Sequence, residues 1–346
     1  MKLFESRMIR LTLTFLLLLL CLFFFYTLQN QLTTQNDVVL TEEGLNFTEP
    51  SMAITEDNPV ITEEILSAID KEWTPKSYAP PNQATLNAIE RNTIREKYGQ
   101  KRPVKVLLMA VVNSGMIEYT LNWIASLKKT GQDDRFLVFA IDQGVVDTMT
   151  SQGYGQQVTL IPSDWFHLPL ESKFALWKSN AYLPITHAKT LVVERLLYLG
   201  ITVWFTDVDI VFLSPHIRQA MVLQMGDKDM VFSQEIDQRV INSGFYMIKP
   251  TQTSRKFMGF VVQAQDETDT LTQQKVMNNI LRTVFVKDFL KTPFRLLDML
   301  LFPNGCDYFR KNLPTKFDLK PFMLHANCLI GSKKKDALTK EGMWYI

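Results

Sequence analysis

The stretch Gly200-Ile-Thr-Val-Trp-Phe-Thr-Asp207-Val-Asp209-Ile-Val-Phe-Leu213 constrains this chain more than any other. An apolar run rich in β-branched and aromatic residues reads as a buried strand. Where it should end stand two carboxylates flanking one apolar residue. Residues two apart on an extended backbone point to the same side, so Asp207 and Asp209 can converge on one object. Side by side against a core, two anions repel each other and lose solvation unless something positive sits between them. A divalent cation meets that need, and oxygen ligands select a hard one such as Mn²⁺ or Mg²⁺. Spacing alone is a weak signal: Asp227-Lys-Asp229 has the same pattern and reads as a turn before a strand at Met230-Val231-Phe232. Context separates the two. A helical segment from Ala188 to Leu199 is closed by Gly200 as a C-cap, and the apolar strand and its acids follow.

The same alternation extends to either side. Val104 to Val112 is a continuous apolar strand, Met116 to Lys129 has helical spacing, and Gly131 ends it. Phe136 to Ile141 and Val158 to Ile161 are further strands, with Asp142 and a helical stretch from Gly144 between them. The β-α-β-α order predicts an α/β fold, a Rossmann-like, mostly parallel sheet with helices on both faces. Ligands of such sheets sit beyond the carboxyl ends of the strands. Asn113-Ser114-Gly115, Asp142, Asp207 and Asp209 all fall there, which makes the first four candidate ligand contacts. This domain spans 103–346, ample for one core.

The N-terminus has a different grammar. Leu11 to Leu28 carries no charge and as a helix would span about 27 Å, enough for a thin bilayer. Lys2, Arg7 and Arg10 precede it, and no Lys or Arg follows until Lys71. The positive-inside bias predicts a cytosolic tail at 1–10, a signal anchor at 11–28, and everything after it in the lumen. The run is long for a signal-peptide core, and no small-x-small site follows it. Residues 29–102, polar and broken by Pro75, Pro80 and Pro81, read as a stem, with short helices near 61–69 and 85–97. Asn46-Phe47-Thr48 is a glycosylation sequon on the lumenal side. An oxidising lumen permits a disulfide between Cys306 and Cys328, or leaves both as thiols.

With 37 Lys+Arg against 36 Asp+Glu, the chain has no basic stripe suited to nucleic acid. Lys333-Lys334-Lys335 reads as a solvated surface run. Lys189 either meets a phosphate oxygen or pairs with Glu194 or another acid. Asp237, just before the strand Ile241–Ile248, is a further candidate site acid, with a turn acid as the plainer reading.

The ordered series Leu107-Leu-Met-Ala-Val-Val-Asn-Ser-Gly115, Asn122-Trp-Ile-Ala-Ser-Leu127, Phe205-Thr-Asp-Val-Asp-Ile-Val-Phe-Leu213, Asn242-Ser-Gly-Phe245, Pro303-Asn-Gly305 and His325-Ala-Asn327 resembles the nucleotide-diphospho-sugar transferases of glycosyltransferase family 77, which have a GT-A fold. The likeness runs over nearly all of 104–344. It implies a retaining, metal-dependent transferase using a UDP-sugar, commonly UDP-galactose or a UDP-pentose. Asp209 would be the main metal ligand, Asp207 would share the metal or hold the ribose, and His325 would complete the protein ligands. Asn327 and Gly331 would lie near the diphosphate, and Asn242, Ser243 and Gly244 near the transferred sugar or acceptor. The family's Asp-Gln pair ahead of an Asn is here Gln273-Gln274, with Asn278 following. An amide can bind a sugar hydroxyl but cannot act as nucleophile or base.

Breaking a glycosyl–diphosphate bond leaves negative charge that a bound Mn²⁺ stabilises, while a nearby carboxylate can stabilise the oxocarbenium-like sugar. Asp207, Asp209 and Asp237 are the catalytic candidates. The function expected is transfer of one sugar to a glycan or glycoprotein acceptor in the Golgi lumen, the endoplasmic reticulum being the second choice. The rival, kept alive by Gln273, is a catalytically inactive lumenal scaffold of the same fold. Four histidines scattered along the chain do not supply a two-metal hydrolase site.

Overall fold

A computed structural model describes residues 74, 76–96, 104–166, 182–237, 239–267, 270–285 and 292–346. The predicted anchor, the sequon at Asn46 and most of the stem lie outside them. Among the described residues no helix is long and apolar enough to cross a membrane. All of them belong to a compact unit that runs from Val60 to Ile346.

Helix α1 (Gln83–Asn92) and strand β1 (Ile94–Glu96) come first. The sequence reading leaves both in the stem, with a helix continuing through Lys97. Instead β1 pairs antiparallel with β2 (Val104–Val112), and Ala88 and Ile89 of α1 are buried in the core. The domain therefore starts before residue 103. Then follow α2 (Ile117–Lys129), β3 (Leu137–Ala140), α3 (Gln143–Ser151), β4 (Val158–Leu160), α4 (Tyr182–Tyr198) and β5 (Thr202–Thr206). These build parallel β4-β3-β2-β5 order, as the alternation predicts.

The second half departs from that regularity. It contains β6 (Ile210–Phe212), α5 (Ile217–Met225), β7 (Met230–Gln234), β8 (Ile241–Ile248), α6 (Gln252–Asp266), α7 (Gln273–Ile280), β9 (Phe294–Leu296), α8 (Leu313–Lys316), β10 (Met323–His325) and α9 (Ser332–Lys340). Strand β8 runs antiparallel to both β5 and β7, so the sheet continues β5-β8-β7-β9 with one reversed member. Strands β6 and β10 form a separate antiparallel pair.

Both faces of the main sheet are buried, as near-continuous apolar strands require. Along β2, Leu107, Met109 and Val111 pack under α4, α6 and α7, while Val106, Leu108, Ala110 and Val112 pack under α2, α3 and α5. Side-chain oxygens start four helices by accepting a backbone N–H: Asn82 from Thr85, Asp142 from Val145, Thr251 from Ser254 and Thr272 from Lys275. A smaller cluster of Val211, Leu324, Ala326 and Leu338 fastens α9 beneath the β6–β10 pair. Cys306 and Cys328 are joined by a disulfide, Cα atoms 5.6 Å apart.

Candidate active site

Strand β5 ends at Thr206, and the chain turns through Asp207-Val208-Asp209 into β6. Val208 is buried in the core and pins this turn. Opposite, β10 pairs with β6 in a register that places His325 against Ile210, and the Ala326 N–H donates to the Asp209 carbonyl at 2.9 Å. The pairing thus delivers a histidine from far along the chain to the two acids. One ligand atom from each of Asp207, Asp209 and His325 lies within 4.8 Å of the other two. His325 Nε2 is 3.2 Å from Asp209 Oδ1.

Each acid also meets a lysine. Lys189 Nζ on α4 donates to Asp207 Oδ1 at 2.6 Å, and Lys334 Nζ on α9 donates to Asp209 Oδ2 at 2.5 Å. Asp209 is only 6% exposed. Burial opposes its charge, yet the Lys334 ammonium and the His325 ring hold its carboxyl well below the usual carboxylate range. Nearby, the buried Tyr246 hydroxyl has no hydrogen-bond partner among the described residues. Burial first, and then the Asp207 charge, push that phenol well above its ordinary value.

The third wall comes from a break in the β7–β8 ladder. Phe232 faces Tyr246, but the next residue, Ser233, faces Asn242, so Ser243-Gly244-Phe245 bulges out of the pairing. The bulge carries Gly244 to the acids: the Asp207 N–H donates to the Gly244 carbonyl at 2.6 Å. A Cβ on Gly244 would lie 2.6 Å from Asp207 Oδ2 and 2.6 Å from His325 Cε1, so a side chain there would fill the cradle. Asn242 braces the bulge, its Oδ1 accepting from the Gly244 N–H at 2.8 Å.

Asn242 Nδ2 in turn donates at 2.6 Å to Glu235 Oε1, which also accepts from Gln274 Nε2 at 3.0 Å. Gln274 Oε1 receives the Ser243 N–H at 3.1 Å, and Asn278 clasps the Ile241 backbone on both sides. Gln273 is buried, and its Nε2 has no partner among the described residues.

Two residues of this arrangement escaped the sequence reading. Strand β7 runs through Gln234, two residues beyond the strand end expected at Phe232, so the acid at its mouth is Glu235. Asp237 instead sits on an exposed turn, its carbonyl accepting from the Val240 N–H at 3.1 Å. Lys334 was hidden in what reads as a solvated tri-lysine run. The available signal was that run's position just after Gly331, a few residues past His325. Lys189 was expected at a phosphate or paired with Glu194 or another acid; the acid it meets is Asp207.

The remaining candidates form two groups. Ser114 and Asp142 are locked together: the Ser114 N–H donates to Asp142 Oδ2 at 2.8 Å and its hydroxyl to Asp142 Oδ1. This ties the ends of β2 and β3 beside the buried Asn113 and exposed Gly115. At the other end, Asn327 Oδ1 accepts from the Gly305 N–H at 2.8 Å, and the Gly331 carbonyl accepts from the Tyr119 hydroxyl at 3.3 Å. Gly331 has φ +60°, a conformation that favours glycine, and leads directly into α9 and Lys334.

Residues 131–338 match the family described as nucleotide-diphospho-sugar transferase. A UDP-galactose:fucoside alpha-3-galactosyltransferase of Dictyostelium discoideum is 33% identical over 282 residues, covering 70% of this chain and 43% of that protein. Arabinosyltransferase RRA2 of Arabidopsis thaliana is 27% identical over 251 residues, covering 64% of this chain and 56% of that protein. UDP-D-xylose:L-fucose alpha-1,3-D-xylosyltransferase 1 of the same plant is 21% identical over 266 residues, covering 69% of this chain and 70% of that protein. The chain spans about half the length of the first two curated relatives.

Proposed function

From the premise that this chain belongs to the nucleotide-diphospho-sugar transferase family, we propose that it is a GT-A glycosyltransferase, retaining and dependent on Mn²⁺ or Mg²⁺. It moves one sugar, galactose or a pentose, from a UDP-sugar to a glycan or glycoprotein acceptor. The observation that carries the reading is the convergence of Asp207, Asp209 and His325 at the carboxyl end of β5. Two carboxylate oxygens and an imidazole nitrogen suit such a divalent ion, and the bare α-carbon of Gly244 leaves room for it. When bound, the ion supplies Lewis-acid stabilisation of the charge that develops on the diphosphate.

The chain's own residues do the rest. Lys189 and Lys334 balance the two carboxylates, and with an ion held by Asp207, Asp209 and His325 these two ammonium groups would be the chain's cations for the diphosphate oxygens. The Ser114–Asp142 latch with Asn113 and Gly115 would hold the nucleoside end, while Asn327 and Gly331 would border the diphosphate. Asn242, Ser243, Gly244, Gln273 and Gln274 would face the sugar. The relatives named for galactosyl, arabinosyl and xylosyl transfer support a hexose or pentose donor. The apolar run at Leu11–Leu28 supports a single-pass type II protein of the Golgi membrane with its catalytic domain in the lumen.

The test is UDP release by the purified full chain from UDP-galactose, UDP-xylose and UDP-arabinose, with Mn²⁺ or with chelator, beside Asp209→Asn. Turnover of one donor that requires both the metal and Asp209 is expected. A chain that neither turns over a donor nor binds UDP in Mn²⁺ is instead the inactive scaffold.

A further inference from the structure

Glu235 is a carboxylate with only half of its hydrogen-bonding capacity in use. Both of its partners, the amides of Asn242 and Gln274, donate to Oε1, and Oε2 accepts nothing among the described residues. The side chain is partly exposed at the mouth of β7. Two donors on one oxygen orient the group as firmly as a surface acid can be oriented, and they leave the other oxygen facing outward from the network. One hydrogen-bonded route joins it to the cradle. Glu235 Oε1 takes Asn242 Nδ2 at 2.6 Å, Asn242 Oδ1 takes the Gly244 N–H at 2.8 Å, and the Gly244 carbonyl takes the Asp207 N–H at 2.6 Å.

Resting on the donor-site reading above, we propose that Glu235 determines recognition of the transferred sugar, its Oε2 accepting a hydroxyl of that sugar. An ionised carboxylate only accepts, and a sugar ring presents hydroxyl donors on every side. A charge-assisted O–H···O⁻ bond is about twice as strong as a neutral one, so such a group discriminates where an amide would not. Gln273 and Gln274 offer amides only, which makes Glu235 the acid of this wall. Because Asn242 and Gln274 are spent on fixing it, they act on the sugar through its placement.

The experiment compares UDP with UDP-galactose, UDP-xylose and UDP-arabinose on the full chain in Mn²⁺, by calorimetric binding and by donor hydrolysis. In the wild type one sugar donor is distinguished from UDP in affinity or turns over. Glu235→Gln is expected to keep UDP affinity within about two-fold and to lower kcat/KM for that donor by about 10²-fold, the loss of one charge-assisted bond in a closed site. Gln274→Ala, which leaves the carboxylate in place but held by Asn242 alone, is expected to give a smaller loss of the same kind and guards against misfolding of the first variant. Equal losses for UDP and the sugar donor would make Glu235 a structural brace and overturn the proposal. So would no loss at all, or a wild type that binds UDP without distinguishing any donor. A wild type blind to UDP itself in Mn²⁺ would instead bring down the donor-site reading, and this proposal with it.

Discussion

The two halves of the sheet are built on different principles. From β2 to β5 the strands are parallel and regular and, apart from the edge strand β4, buried on both faces, their side chains alternating between two helical layers. From Asp207 onward the chain reverses a strand, opens a bulge at Ser243-Gly244, and spends β6 and β10 on a small separate pair. The regular half carries the latch of Ser114 and Asp142, whereas the Asp207, Asp209 and His325 cluster and the Glu235 network sit in the irregular half. Regular pairing satisfies every backbone group and leaves little room for a ligand; each departure from it aims a polar group at one place. The platform is made for stability, the rim for convergence.

That contrast can be broken by experiment. The largest effect belongs to the rim: Asp209→Asn keeps shape but removes a charge, and should cost about 10³-fold in metal-dependent turnover, about 4 kcal/mol in the transition state. Its melting temperature should also fall, because Lys334 and His325 lose the carboxylate they pair with. A variant that melts early but keeps its metal-dependent turnover would erase the distinction.

The reciprocal change lies in the platform. Leu107 is fully buried, so Leu107→Ala should destabilise the fold by about 3 kcal/mol, read by denaturant unfolding. Activity per folded molecule should be unaltered; a fall in Mn²⁺ affinity would show that the two halves are coupled. Between them stands Gly244→Ala. With a methyl group forced against Asp207 and His325, Mn²⁺ affinity measured by electron paramagnetic resonance should drop by about 10²-fold, about 2.7 kcal/mol. Unchanged affinity would mean that the neighbours give way and the cradle is looser than its distances suggest.

Smallest is Ser114→Ala, which removes a hydroxyl from the Asp142 latch while Asp142 keeps its bonds from the Ser114 and Val145 N–H groups. About 1 kcal/mol of stability should be lost, with a comparable change in UDP affinity and none in Mn²⁺ affinity without nucleotide. A metal effect there would contradict the division of labour.

The same division explains what could be read from the amino-acid sequence. Strands Val104–Val112 and Ile241–Ile248 coincide with their expected bounds; the first is a largely apolar run with few alternatives, while the second keeps its bounds although Asn242-Ser243-Gly244 interrupts it. The Asp207-Val-Asp209 pair and His325 were legible as types of group, and the pairing of β6 with β10 brings them together. Strand direction was not legible: nothing in Ile241–Ile248 says that it runs opposite to β5, since periodicity is blind to polarity. The expectation of a mostly parallel sheet holds, but it did not say which strand would be reversed. Helix α4 starts at Tyr182, before the expected Ala188, because Pro184 sits within its first turn, where a missing N–H costs nothing. Glu235 and Lys334 were illegible for another reason. Each acts through partners that only the fold brings to it: Asn242 across the β7–β8 bulge and the more distant Gln274 for one, and Asp209 for the other.

The pairing of β6 with β10 has a consequence for the life of the molecule on the ribosome. Strands β2 to β5 emerge first and hold much of the core, so they can begin to collapse while later segments are still being made. The ligand set cannot. Asp209 waits in the growing chain until the segment bearing His325 has been synthesised and zipped onto β6, and until α9 follows with Lys334. Cys328 lies in that same late segment, and its bond to Cys306 closes only then. Assembly of the Asp207, Asp209 and His325 cluster thus depends on synthesis through this late segment and on closure of the β6–β10 pair.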